Sequence, residues 1–289
     1  MSTIKVTVDS GADLSPEVAK ELGIEVIPFH LSLGDVAFDD GEIAPDDMLQ
    51  IIAEEKVMPK TSACSPADYA QVFDRILEED AEAQILHLAL SSDLTRSFLS
   101  ALDASEIEPR VTCLDTQTVT QAYGLIAEKV ARYVREEPDV TMAQALAYAH
   151  DLIDRIRLGF VPNDLSFLKA GGRLGNAGFM AAQMLNIRPV IEIEEGKLVV
   201  KKKLRGSLKK IVGQFLDEFF TEEPLDREQV LFLFSTGLPE KVREVATCKA
   251  EEAGFKEIRW GQAGCVISSH CGPEAFGCVV LRAPKADSM

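Results

Sequence analysis

No apolar run in the sequence approaches the roughly 20 residues needed to cross a bilayer. Residues Met1 to Ser10 carry neither the charged start nor the long apolar stretch of a secretory signal. The expectation is a cytoplasmic protein with no stable membrane insertion. Positive charge is also scarce: 30 Lys and Arg stand against 47 Asp and Glu, a net charge of −17. Nucleic-acid binding needs a basic face, so that partner class is excluded, and adhesion to an anionic bilayer is disfavoured for the same reason. The six cysteines (Cys64, Cys113, Cys248, Cys265, Cys271, Cys278) include no C-x-x-C pair and no zinc-ligand spacing. In a reducing compartment they read as small core residues rather than disulfides. Neither a cofactor nor a metal is expected. Gly171-Gly172-Arg173-Leu174-Gly175 lacks the G-x-G spacing of a dinucleotide site and follows a helical pattern rather than a strand; there is no P-loop.

What remains is an ordinary globular composition, 46% hydrophobic and 27% charged over 289 residues. That length exceeds the usual single core of about 100 to 200 residues. Two domains are expected, over residues 1–157 and 158–289. The first half alternates strand patterns (4–8, 25–33, 85–90, 111–114) with helical ones (16–22, 45–55, 66–79, 95–104, 120–135). Ser15-Pro16 and Ser65-Pro66 each place a capping hydroxyl before a proline at the first helical position. Strands alternating with helices imply a mostly parallel sheet. The second half predicts a short helix at 164–169 and an apolar helix around 179–185. A hairpin turning at Glu195-Gly196 comes next, then helices at 207–220 and 239–253 and strands at 230–235, 257–261 and 277–282. The hairpin makes this part α+β, within an overall α/β class.

Polar residues gather after the strands of the first half: Asp9-Ser10, Ser91-Ser92-Asp93, Asp115-Thr116, and the loop Pro59-Lys60-Thr61-Ser62 leading to Ser65. Ligands of open parallel sheets sit beyond the carboxyl ends of the strands. Four hydroxyl-bearing loops at one edge suit an anion held by hydroxyls and backbone N–H groups; each loop taken alone also reads as caps and turns. The histidines are His30, His87, His150 and His270. His87 falls in a strand pattern and His150 in a helical one, which reads as structural, whereas His270 is expected in a loop before the last strand. Lys201 to Lys203, Arg205, Lys209 and Lys210 form the one basic cluster, either a solvated face or a dock for an acidic or phosphorylated partner.

Several pieces, in order, resemble the DegV family from Val6 to about Val280: Asp9-Ser10-Gly11-Ala12-Asp13-Leu14, Lys60-Thr61-Ser62 and Ser91-Ser92-Asp93-Leu94. Further on come Asp115-Thr116, Leu165 through Arg173, Leu185-Asn186-Ile187-Arg188-Pro189, Arg205-Gly206 and His270-Cys271-Gly272-Pro273. The resemblance implies two domains enclosing one long-chain fatty acid in the cleft between them. The first would carry the carboxylate site and the second the acyl pocket. It implies a protein that does no chemistry alone, with no catalytic residues of its own. Such a protein presents the carboxylate to a separate dihydroxyacetone-kinase-like fatty acid kinase, whose acyl phosphate product feeds phospholipid synthesis. By position Thr61, Ser62 and Thr95 would hold the carboxylate beside His270, and Arg173 would serve kinase docking or phosphotransfer, or simply structure on a Gly-rich turn. Thr95-Arg96-Ser97-Phe98 stands where the family has Ser-Gly-Thr-Tyr, so Arg96 either pairs with the carboxylate or points away. Ala63-Cys64 likewise replaces Gln-Pro.

A fatty acid needs a dry slot, for which Phe29, Phe160, Leu165, Phe167, Leu168, Phe179, Met180, Met184, Leu185, Ile187 and Phe276 are candidates, although such a stripe also reads as ordinary core. Two other readings stand beside the carrier: a hydrolase or transferase using His270 with Ser62, Cys64 or Thr95, and an interaction module with a structural lipid. A monomer is expected.

Overall fold

Strand and helix alternate through the first 136 residues because short β-branched runs are punctuated by Ser-Pro starts. The computed structural model describes residues 3–173 and 187–284. Strands β1 (Ile4–Asp9), β2 (Glu25–Ile27), β6 (Gln84–Ala89) and β7 (Val111–Asp115) form a parallel sheet in the order β2-β1-β6-β7. The central strands β1 and β6 are buried on both faces, as parallel sheets require. Helices α1 (Pro16–Leu22), α3 (Pro66–Glu79), α4 (Ser97–Ser105) and α5 (Gln121–Glu136) belong to this half. The Ser65 hydroxyl accepts from Asp68 N–H while the Asp68 carboxylate accepts from Ser65 N–H, a complete capping box.

The run predicted as one strand over 25–33 breaks at Pro28-Phe29, because proline cannot donate to a ladder. Its second part is β3 (His30–Leu33), the middle of a small antiparallel sheet β4-β3-β5 with β4 (Val36–Asp39) and β5 (Lys60–Ser62). The segment expected as a Pro59 to Ser62 loop is therefore largely a strand. Helix α2 (Pro45–Glu55) connects β4 to β5. Helix α6 (Met142–Arg155), unforeseen except through the pattern around His150, leads into the second half.

That half is a six-stranded sheet, β10-β9-β8-β13-β11-β12, entered at Ile156, two residues before the expected boundary. Its strands are β8 (Ile156–Val161), β9 (Ile187–Glu194), β10 (Lys197–Arg205), β11 (Gln229–Phe234), β12 (Glu257–Gln262) and β13 (Phe276–Leu281). Glu195 and Gly196 both take positive φ, 47° and 79°, which gives the β9-β10 hairpin its tight turn. Helices α8 (Leu208–Phe219) and α9 (Glu240–Glu252) pack on one face around Phe215, Phe219, Phe232 and Phe276. The other face turns toward the first half, where Leu158, Leu231, Leu233 and Val279 meet Ala122 and Leu125 of α5. On the opposite side of α5, Gly124 lets the helix approach the backbone: an added Cβ would lie 2.4 Å from the Ala12 carbonyl oxygen.

Two further helices complete the interface, α7 (Leu165–Ala170) and α10 (Cys265–Cys271). The second corrects the expectation for His270, which stands in the last turn of a helix and not in a loop. Glycines at 264 and 272 hide this element of about two turns from sequence reading. The hairpin tip is tied to the first half by the Ser91 hydroxyl, which donates to the Gly196 carbonyl at 2.9 Å.

Candidate functional site

Between the two sheets lies a cavity whose empty space, counted out into the solvent at its mouth, is about 940 Å³. Its walls are mainly apolar. Phe29, Leu90, Leu94 and Val119 come from the first half; Leu158, Phe160, Leu168, Leu198, Leu233 and Phe276 come from the second; Val266 and Ile267 come from α10. Polar groups are few, and they include Thr61, Ser62, Thr95, Arg173 and His270.

Thr61 is fixed in place by pairing of β5 with β3, where it sits opposite Leu31. Its Oγ1 lies 3.0 Å from His270 Nε2. The other ring nitrogen, Nδ1, is buried without a partner, and it faces Gly171, where an added Cβ would sit 2.1 Å away. An orphaned acceptor is less costly than an orphaned buried N–H, so we place the His270 proton on Nε2, donating to Thr61. The Thr61 hydroxyl proton is then left for a ligand in the cavity. Burial, seconded by the Arg173 charge, pushes His270 down to about 4, so the ring is neutral at pH 7. The start of α10 is held by two carboxylates of the first half: Gly264 N–H donates to Asp13 at 2.9 Å and Cys265 N–H to Asp40 at 3.1 Å. Asp13 also accepts from Thr120 at 2.5 Å, and Asp40 from Ser10 at 2.7 Å.

Thr95 precedes α4, its Oγ1 3.0 Å from Ser97 Oγ and accepting from Ser97 N–H at 3.3 Å. Arg173 donates to the Gly171 and Leu94 carbonyls at 2.6 and 3.3 Å, and burial lowers its pKa. Its guanidinium therefore spans the two halves.

The other expected residues divide cleanly. Arg96 is exposed and outside the cavity wall, the point-away option for its side chain. Phe29 and Phe276 line the cavity, as do Phe160 and Leu168. Phe167 is core instead, its ring so close to Gly272 that an added Cβ there would lie 2.7 Å from it. Leu165 and Ile187 do not reach the wall. Phe179, Met180, Met184 and Leu185 lie outside the described residues. Cys64 is buried away from the wall, donates to the Pro28 carbonyl at 3.1 Å, and burial pushes its thiol far above the ordinary range. A thiolate nucleophile is thereby removed from the enzyme reading. His30 is held by Asp39 and Asp68 at 2.6 and 3.1 Å, also away from the cavity. Sequence reading missed Leu90, Val119, Leu158, Leu198 and Leu233. The alternation in strands 156–161 and 229–234 marks inward faces, but not which face meets the other half.

The basic cluster is partly spent within the chain: Lys201 pairs with Glu194, and Lys202 with Glu218 and Glu222. Among the described residues no group of three His, Cys, Asp or Glu side chains could hold a metal ion, and no helix is long and apolar enough to cross a membrane.

Fold and cavity together define a two-sheet α/β protein with a mainly apolar cavity between its sheets. The chain belongs to the DegV family: the family model described as "Uncharacterised protein, DegV family" matches residues 3–283. A DegV domain-containing protein of Deinococcus radiodurans is 29% identical over 280 residues, covering 95% of this chain and 97% of that one. Another, from Caldanaerobacter subterraneus subsp. tengcongensis, is 27% identical and covers 96% and 98%. Among solved structures, a DegV family protein from Thermus thermophilus, described for its fatty acid binding, superposes with a TM-score of 0.87 at 28% identity. It covers 97% of this chain and all of its own.

Proposed function

We propose that this chain binds one long-chain fatty acid, tail in the cavity and carboxylate at Thr61, Thr95 and His270, with Ser62 at the rim. The observation that carries this reading is a mainly apolar cavity whose few polar lining groups include Thr95 and the hydrogen-bonded pair Thr61 and His270. Transfer of a tail of about 14 methylenes, at ~0.8 kcal/mol each, gains on the order of 11 kcal/mol before ordering losses. The carboxylate needs only charge-assisted hydrogen bonds from hydroxyls and a neutral imidazole. The similarity to the Thermus thermophilus protein supports the same ligand class. Residues 1–157 would carry the carboxylate site and 158–289 complete the acyl pocket. The protein would act in the cytoplasm as a monomer, without a cofactor. It would present its ligand to a separate dihydroxyacetone-kinase-like kinase for acyl phosphate formation and phospholipid synthesis. Arg173, at the junction of the halves, is the residue placed to meet that partner or the incoming phosphoryl group.

Denaturing extraction of the purified protein followed by mass spectrometry tests the carrier reading. One fatty acid per chain is the expected yield; protein that is empty and also refuses added fatty acid would sink it. Incubation with such a kinase and ATP tests the second step, since a lipid that merely fills space would never become phosphorylated.

Leu158 makes a sharper expectation. It lines the acyl cavity and also a second, more polar cleft bounded by Thr118, Ile156 and Ile193. Leu158→Ala removes the shared wall. The extracted acyl chains should shift to greater length, at a stability loss of about 2–5 kcal/mol. An unchanged chain-length distribution would place the tail elsewhere.

A further inference from the structure

Ser10 and Asp13 belong to the tight turn that follows β1, and neither lines the cavity. Both lead instead to the start of α10. Asp13 Oδ1 accepts the Gly264 N–H at 2.9 Å, and Asp40 Oδ1 accepts the Cys265 N–H at 3.1 Å. The second oxygen of each carboxyl group is also fixed. Asp13 Oδ2 lies 2.5 Å from Thr120 Oγ1, and Asp40 Oδ2 lies 2.7 Å from Ser10 Oγ. Thr120 is itself part of the cavity wall. Ser10 Oγ also accepts the N–H of Phe29, another wall residue, at 3.0 Å.

A helix of seven residues does not nucleate unaided, and its first amides have no partner within it. What those amides meet therefore decides where α10 begins and which way it faces. Two carboxyl groups on successive amides fix both its position and its rotation. A slip of one residue would turn every side chain by about 100°. His270 would then leave Thr61, whose Oγ1 is 3.0 Å from its Nε2. The far end of α10 is tied elsewhere, since the Gly272 carbonyl accepts from Ser235 of the second half at 2.6 Å. The helix thus bridges the halves, with its start seated on the half that carries Thr61. Burial raises the pKa of both carboxyl groups above the ordinary range, so their service to α10 is as acceptors rather than as concentrated charge.

We propose that Asp13 and Asp40 are positioning residues for the bound carboxylate: by accepting the first two amides of α10 they hold His270 in register with Thr61, although neither carboxyl group lines the cavity. The ligand part of this assignment rests on the fatty-acid reading above; the ring geometry does not. Gly264 belongs to the same clamp. Its φ of −66° and ψ of −178° are ordinary extended values that alanine adopts freely. An added Cβ would nevertheless lie 2.9 Å from Asp13 Oδ1, close enough to push that oxygen off the amide, while standing 3.6 Å from Asp40 Oδ1.

Nitrogen-15 NMR of the lipid-stripped protein reads the His270 ring without ligand, its signals assigned by their loss in His270→Ala. The wild-type ring nitrogens should keep distinct shifts, one protonated and one bare. In Asp13→Gly and Asp40→Ala they should move toward a common averaged value. Glycine is the deletion at 13 because φ there is 48°, which glycine adopts without cost. Calorimetric titration with oleate should show Kd raised about 10- to 100-fold in both variants, as for losing one hydrogen bond to a charged group. Asp13→Asn and Asp40→Asn keep an accepting oxygen, and their NH₂ can donate to the Thr120 or Ser10 hydroxyl. Both should restore the ring signals and the affinity. Asp13→Gly/His270→Ala should bind no worse than His270→Ala. Gly264→Ala should reproduce the ring averaging, which keeps the test open if the Asp variants misfold. Unchanged His270 signals in a folded Asp13→Gly or Gly264→Ala would overturn the assignment. Asparagine variants that fail to restore binding, or losses that add fully to that of His270→Ala, would overturn it as well. A wild type that binds no oleate would sink the fatty-acid reading, while the ring signals would still decide the positioning.

Discussion

Arg157→Ala should lower the unfolding free energy by about 3–5 kcal/mol, the usual penalty for breaking a buried ion pair from one side. Arg157 stands on β8 beneath α8, only 6% exposed. It donates to Glu192 at 3.1 Å, to Glu222 at 2.6 Å and to the Phe219 carbonyl at 3.1 Å, and its guanidinium lies 4.1 Å from the centre of the Phe219 ring. Alanine strands Glu192, whose carboxyl burial already holds above the usual range even with Arg157 beside it. Urea denaturation measures the loss. The double variant Arg157→Met/Glu192→Leu removes both charges at similar volume, so it should recover most of that stability. A loss below about 1 kcal/mol in Arg157→Ala would show that water reaches Glu192.

Arg157 also illustrates what the sequence conceals. Nothing in Ile156-Arg157-Leu158-Gly159-Phe160-Val161 says that the arginine faces inward. The alternation is plain, but with helices on one face and the other half of the molecule on the other, both faces are buried. The same ambiguity explains Phe276, whose ring joins the α8 core at its back while it also bounds the cavity. Legible features were local ones. Ser15 and Ser65 cap their helices, and Glu195-Gly196 turns the hairpin. The sequence groups the hydroxyl-bearing loops as one site, and the structure divides them. Ser10 holds Asp40, Ser91 holds the hairpin tip, and Ser92 and Asp115 bond one another. Only Thr61 and Ser62 of those segments reach the cavity, and Thr95 joins them from just beyond Ser91-Ser92-Asp93. A hydroxyl that caps and one that binds have the same local spacing; the partner from the other half decides between them. His270 shows this most sharply, because its bond to Thr61 spans 209 positions.

Gly171→Ala should weaken oleate binding about 10- to 100-fold, the equivalent of losing one hydrogen bond to a charged group. The backbone itself tolerates alanine: Gly171 has φ −73° and ψ −11°, ordinary helical values. The conflict is with a side chain, since the new methyl would stand 2.1 Å from His270 Nδ1. The ring must swing away, and Thr61 loses the N–H that frees its own proton for the ligand. His270→Ala should weaken binding by a comparable factor for the same reason. The two changes therefore address one contact, and their effects should not add: Gly171→Ala/His270→Ala is expected to bind no worse than His270→Ala. Stability should couple in the same way. Gly171→Ala strains the α7-α10 contact while the imidazole is present and relaxes once His270 is truncated, so the double variant should melt higher than Gly171→Ala alone. Fully additive losses in affinity would mean that Gly171 acts through the neighbouring Arg173, whose guanidinium is bonded to the Gly171 carbonyl at 2.6 Å. Arg173→Gln, titrated with the same ligand, would then show the missing share.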